Sequence, residues 1–100
     1  MKTMNLLRSV TNKLASSAIS DFVSGKTEIT SEVMNGEIFC FLTINGVRKN
    51  KPLKHSLYLA LLKYELEKMN YQEPEILPII VNDDIVYIID YLDRTDKRGR

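Results

Sequence analysis

Residues 6–44 and 53–91 read as two copies of one pattern set 47 positions apart, and this repetition constrains the fold more than any other feature of the chain. Without a gap, Leu6, Ser9, Leu14, Glu28, Ile29, Asn35 and Ile38 meet Leu53, Ser56, Leu61, Glu75, Ile76, Asn82 and Ile85. Val10/Leu57, Ile19/Leu66, Phe22/Met69, Val33/Ile80 and Met34/Val81 are conservative pairs between them. Seven identities carry little weight alone. Their force comes from each copy reading independently as a helix followed by a β-hairpin.

In the first copy, Leu6, Leu7, Val10, Leu14, Ala18 and Phe22 recur at steps of one, three and four, the apolar stripe of an amphipathic helix. Arg8, Asn12, Lys13, Ser16 and Ser20 cover its far side, and Gly25 is a natural stop. Asn35-Gly36 suits a type I′ turn because both residues tolerate positive φ. It joins Thr27–Met34 to Glu37–Ile44 and pairs Val33 with Ile38, Ser31 with Cys40, and Ile29 with Leu42. A second Asn-Gly, Asn45-Gly46, turns the chain into Val47–Lys49, a short edge strand blunted by charge.

The second copy opens with a helix from about Ser56 to Asn70, ended by Pro74. Its polar strip is only Ser56, Lys63, Glu67 and Asn70, so this helix needs more than one packing partner. Ile76–Val81 and Asp84–Leu92 around Asn82-Asp83 form the second hairpin, with Pro78 placing its first strand at an edge or bulge. A helix over Asp83–Arg94 is the rival reading. The run Ile85-Val86-Tyr87-Ile88-Ile89 disfavours it through lost χ1 freedom.

These elements predict an α+β two-layer sandwich of order αββαββ: a four-stranded antiparallel sheet, with Val47–Lys49 as a short fifth strand, and two helices on one face. Residues 1–93 form one domain and 94–100 a charged flexible tail. The order resembles a ferredoxin-like domain with its first strand moved to the end, a likeness of topology that implies no function. Residues 4–70 resemble a double-stranded-RNA-binding domain in element order, which would put Lys51 and Lys54 on phosphates at the second helix start. That family's long Gly/Pro/His loop is replaced here by Asn35-Gly36.

Charge placement says more than the net charge of +1. Lys2, Arg8 and Lys13 stand among residues 1–20 without an acid, as do Arg48, Lys49, Lys51 and Lys54 among 47–55. Acids dominate 65–93. The single Cys40 excludes an intramolecular disulfide and fits a reducing, cytoplasmic compartment. No apolar run reaches the length of a membrane span. The acid-free, Ser-bearing start resembles a mitochondrial transit peptide, but its stripe runs directly into the domain and reads as a structural helix.

No residue cluster calls for catalysis, a metal or a cofactor. His55 has no carboxylate or cysteine beside it to orient a base, and it reads as a surface residue at a helix start. Cys40 alternates with Ile38 and Leu42 on the core face, where a thiol behaves as a small hydrophobe. Asp83-Asp84 with Asp90 or Asp93 lacks EF-hand spacing. Two features remain. Arg48, Lys49, Lys51 and Lys54 are a candidate contact for an acidic protein or for nucleic acid. Phe39, Phe41, Leu77, Ile79, Val86 and Ile88 all fall on the sheet face away from the helices, a larger apolar patch than a monomer normally exposes. Of these, Phe39, Phe41, Val86 and Ile88 are the candidate dimer or partner face. The expected function is a non-enzymatic interaction protein, a homodimeric regulator or inhibitor of a kind common in phages and mobile elements. The alternative is a nucleic-acid-binding domain using the 47–55 loop, with Phe39 and Phe41 as stacking platforms. Glu28, Glu32 and Glu37 on that same face would repel phosphates.

Overall fold

The computed structural model describes residues 2–92, with side chains from Met4 onward. The elements run β1 (Lys2–Leu7), α1 (Arg8–Ser20), β2 (Thr27–Met34), β3 (Glu37–Ile44), β4 (Val47–Arg48), α2 (His55–Lys68), β5 (Gln72–Val81) and β6 (Asp84–Leu92). The expected flexible tail, 94–100, lies outside the described residues.

The class is α+β, but the single four-stranded sheet is not formed. The strands make two separate three-stranded antiparallel sheets: sheet I in the order β2-β3-β4, and sheet II in the order β1-β6-β5. The strand that sequence reading missed is β1. Leu6 and Leu7 belong to it rather than to the helical stripe. No capping residue separates strand from helix, since α1 starts after Leu7 with no side-chain cap, so the apolar spacing runs on through the junction.

The hairpins have the geometry that the turn residues demand. Positive φ occurs at Asn35 (54°) and Gly36 (76°), at Asn45 (51°) and Gly46 (82°), and at Asn82 (53°) and Asp83 (61°), as type I′ turns require. Val33 meets Ile38, Ser31 meets Cys40, and Ile29 meets Leu42. Residues 84–92 are strand, with Ile85, Tyr87 and Ile89 buried. Pro78 lies in β5, at an edge of sheet II, where its missing N–H is tolerated. Pro74 does not end α2. It is buried in β5 beside a register shift between Gln72 and Glu75, with Glu73 at φ 49°. The helix stops instead at a Schellman motif: Asn70 at φ 72°, Asn70 N–H donating to Glu67 O and Tyr71 N–H to Leu66 O, each at 3.0 Å.

The 47-residue spacing is visible in the elements. Shifting α1 by 47 gives 55–67, against α2 at 55–68, and shifting β3 gives 84–91, against β6 at 84–92. It also holds between elements. Leu6 pairs with Tyr87, and Leu53, which is 47 residues after Leu6, bridges Cys40, which is 47 residues before Tyr87. Each half therefore lays the segment before its helix against the last strand of the other half.

One core serves both sheets. It joins Ala15 and Ala18 of α1, Tyr58, Leu61 and Leu62 of α2, Ile29 and Cys40 of sheet I, and Ile85 and Tyr87 of sheet II. The result is a slab of 51 × 34 × 18 Å. Helix α1 also guards the free edge of β2: Ile29 N–H donates to Ser16 Oγ (2.9 Å), and Arg8 Nη1 donates to Ser31 O (3.3 Å). Satisfying an edge from a helix removes a template for unwanted strand pairing.

Candidate interaction surfaces

The polar chemistry of the molecule is concentrated in its core. Asn12 Oδ1 accepts from Tyr58 Oη (2.5 Å) and from Ser31 Oγ (2.7 Å), whose oxygen lies 3.5 Å from Cys40 Sγ. His55 Nε2 is 3.0 Å from Tyr87 Oη, and the His55, Tyr58 and Tyr87 rings cluster within 6.0 Å of one another. Burial pushes the Tyr58 phenol up to about 12 and holds Tyr87 well above the ordinary tyrosine range. Burial also raises the Cys40 thiol and lowers the His55 imidazole. Each of these polar groups is occupied by another, which makes the network a joint between the halves. His55 is thus half-buried and bonded, not the free surface residue expected of a helix start. Among the described residues, no three His, Cys, Asp or Glu side chains come together as a metal site. No described helix is long and apolar enough to cross a membrane.

Of the four cations of the loop, Arg48 makes contacts within its own sheet. It lies over the outer face of that sheet and stays half exposed, with its guanidinium carbon 4.3 Å from the Phe41 ring centroid and Nη2 3.2 Å from Glu32 Oε2. Lys49 and Lys51 are exposed, and exposed Lys54 is the residue immediately before α2.

The expected six-residue outer patch is divided between the sheets. Phe39 and Phe41 lie on sheet I, where Arg48 and Glu32 partly cover them. Leu77, Ile79, Val86 and Ile88 lie on sheet II, joined by Leu7 of β1, a member of the expected helical stripe. Cross-strand pairing fixes the rows on this face: Leu7–Val86–Ile79, then Asn5–Ile88–Leu77, with Asp90 and Glu75 beyond. Leu7 is 67% exposed and Leu77 59%. A wide groove of about 420 Å³ runs over Leu77 and Ile88, bordered by Glu75 and Asp90.

A second apolar surface lies on the helix layer. Ile19 and Phe22, from α1 and the turn after it, face Leu57, Ala60, Leu61 and Tyr64 of α2 across a groove of about 380 Å³. Phe22 is 67% exposed and sits 5.6 Å, centroid to centroid, from Tyr64. The stripe expected to bury α1 is displaced: Thr11, Ala15 and Ala18 face the core, leaving Val10 and Phe22 outside. A wide apolar arc on a helical wheel does not reveal which part turns inward, so the surface was not legible from spacing.

A third groove, about 530 Å³ between α1 and β2, is lined by hydroxyls with Lys13, Lys26 and Glu28. Ser16, Ser20 and Thr27 within it are hydrogen-bonded to one another and to nearby backbone, which makes it part of the α1–β2 joint. Compared with known proteins, the chain matches no family model, no curated protein and no solved structure.

Proposed function

We propose that this is a non-enzymatic interaction protein, a small regulator that works by binding another macromolecule, and that two copies pair through the outer face of sheet II. The observation supporting this is an asymmetry between faces that the repeat makes equivalent. Phe41 and Ile88 are 47 positions apart, as are Glu32 and Ile79, and Thr30 and Leu77. On sheet I the face is polar at Thr30 and Glu32, and Arg48 lies over Phe41. On sheet II those positions are Leu77, Ile79 and Ile88, and the face stays open and apolar.

Leu7, Leu77 and Val81 are 67%, 59% and 46% exposed, and Ile79, Val86 and Ile88 are partly buried between them. At about 1.5–3 kcal/mol for a fully buried side chain, closing the exposed fractions of two such faces supplies very roughly 6–17 kcal/mol. The cost of association is about 4–15 kcal/mol, and a micromolar dimer, at about 8 kcal/mol of surplus, requires that cost to fall at the low end of its range. The nucleic-acid alternative has less support, because Arg48 is occupied by Phe41 and Glu32.

Sedimentation at micromolar concentration tests the pairing. The expected species has twice the 11.5 kDa chain mass, and Leu77→Glu, at an exposed position, should yield a folded monomer. A wild-type protein that sediments only as the monomer would remove this face as a dimer interface.

A further inference from the structure

We propose that the free edge of β1 pairs, antiparallel, with β1 of a second copy, so that two copies of sheet II become one six-stranded sheet. This rests on the reading of the molecule as self-associating, but on a different contact: strand edge to strand edge, leaving the outer face of the sheet uncovered.

Register decides which backbone groups an edge offers. In a hairpin with a two-residue turn, the residues flanking the turn exchange hydrogen bonds, and bonded and non-bonded pairs then alternate. Sheet I obeys this. Counting from Met34 and Glu37, Ser31 and Ile29 must point outward from β2, and Ser31 O and Ile29 N–H are the groups that α1 binds. In sheet II the count starts at Val81 and Asp84. It turns Tyr87 and Ile89 of β6 toward Leu6 and Met4 of β1, so Asn5 and Leu7 direct their amides outward. Ile85 N–H lies just past the end of β1 and is met instead by Asp84 Oδ1 at 2.9 Å.

The other three sheet edges are blunted. Helix α1 covers β2. On β5, Ile76, Pro78 and Ile80 point outward, and the middle one has no N–H to offer. On the outer edge of sheet I, Leu53 N–H points in, to Cys40 O at 2.7 Å, so its neighbour Pro52 occupies the outward place. Pro52 stands 47 positions after Asn5, and Lys51 and Lys49 stand where β1 has Met4 and Lys2. Proline and lysine are the residues that block strand addition. At the equivalent edge of sheet II, Asn5 and Leu7 are exposed, and no described residue bonds their N–H groups.

Outward amides on alternate residues call for an extended strand, since a helix has its own backbone groups already paired. A second β1 fits. With a two-fold axis at Asn5, Asn5 N–H and O of the two copies exchange bonds, and Leu7 N–H of each donates to Thr3 O of the other. Met4 then stands opposite Leu6 of the copy on the inner side of the sheet, and both are only partly buried within one chain. Lys2 falls opposite Arg8, whose charge already meets Asp84 at 3.6 Å. On the outer face the row Leu77–Ile88–Asn5 runs on into Asn5–Ile88–Leu77 of the copy. Because the edge contact leaves that face free, edge pairing and face pairing can act together in a closed particle of four chains.

Sedimentation velocity of the full chain from about 10 to about 500 µM reads the result by mass action. Wild type should pass from two chains to four. Asn5→Pro removes only an outward N–H, so it should keep its fold by circular dichroism and stop at two. Asn5→Ala keeps that N–H and should reach four. Exchange of the Leu7 amide with deuterium should slow about fivefold or more at the upper concentration in wild type. Unslowed Leu7 exchange there overturns the proposal whatever the variants do. So do a two-chain wild type that Asn5→Pro leaves intact, and four chains in Asn5→Pro; if Leu57→Glu dissolves the latter, the contact lies on the helix layer. A wild type monomeric throughout overturns both pairings. A two-chain wild type that Asn5→Pro dissociates and Leu77→Glu does not would defeat the face reading and leave this one standing.

Discussion

Removing the side chain of Asn12 should be among the most damaging changes outside the apolar core. Its Oδ1 is shared by two buried hydroxyls, Tyr58 Oη at 2.5 Å and Ser31 Oγ at 2.7 Å. Tyr58 is fully buried and Ser31 is 6% exposed. In Asn12→Ala both donors lose their main acceptor. The nearest alternative for Ser31 is the Cys40 sulfur at 3.5 Å, a weak one. A buried polar group left unpaired costs about 1–3 kcal/mol. Asn12 borders the α1–β2 groove, where water can partly replace it, so the expected loss is about 2–4 kcal/mol.

Urea unfolding followed by circular dichroism measures this loss. Tyr58→Phe is the informative companion because it deletes one donor while Ser31 still satisfies Asn12. It should cost about 0.5–1.5 kcal/mol. The double variant should fall short of the sum by about 1 kcal/mol, since Asn12→Ala then orphans one hydroxyl instead of two. If Asn12→Ala lies within about 0.5 kcal/mol of wild type at unchanged m-value, the network is not a stabilising joint and the reasoning fails.

The folded state holds the His55 imidazole below its ordinary value of 6.5 through burial. The unfolded chain therefore takes up a proton first as pH falls. Its contribution to stability is present above about pH 6.5 and is lost below it, until the folded form titrates as well. Thermal melts between about pH 5 and 7.5 should show this decline, and His55→Gln should flatten it. Gly25 has φ +114°, and a Cβ there would lie 2.6 Å from the Asn45 amide that accepts from Lys26 N–H. Gly25→Ala should cost about 1–3 kcal/mol by chemical denaturation, and an unchanged midpoint would mean that this turn yields freely. Chains cut between Asn50 and Lys51 should recombine on mixing into a 1:1 complex with the native helical signal. Helicity of each fragment alone matching the mixture would refute the strand exchange.

The hairpins were legible because their turn residues leave few options: Asn35-Gly36 and Asn45-Gly46 require positive φ, and alternation then sets the register. The number of sheets was not. Lys2–Leu7 carries no turn or cap signal, and its one β-branched residue, Thr3, does not distinguish it from the helix it precedes; its partner is Asp84–Leu92, at the far end of the described chain. Local pattern cannot report a pairing so distant. The basic loop was equally visible as four cations, yet the commitment of Arg48 depends on β4 pairing with β3 so that Arg48 meets Thr43. Only that register lays the guanidinium over Phe41. Pro74 misled for a related reason, since a proline after a helix normally marks its end, whereas here Asn70 had already stopped α2.

The exchange of first segments explains why two sheets form and where the polar network sits. If the first segment of each half pairs with the last strand of the other, residues 47 apart must approach one another around a pseudo-two-fold axis. Thr11 and Tyr58 are such a pair, and so are Cys40 and Tyr87; all four are fully buried, with the two tyrosine rings 5.6 Å apart. A strictly symmetric assembly would place two tyrosines, or two small residues, at each of these sites. The first arrangement overpacks and the second leaves a cavity, each costing on the order of 1–5 kcal/mol. One large and one small member per pair fills the space once. The same asymmetry supplies polarity: Asn12 accepts from the Tyr58 phenol and the Ser31 hydroxyl, and its counterpart 47 residues on is the apolar Leu59. Covalent joining of the halves allows the two copies to diverge at the axis, and the divergence fixes which half meets which. That is also why the outer faces could differ, with Arg48 lying over Phe41 on one and Leu7 and Leu77 exposed on the other.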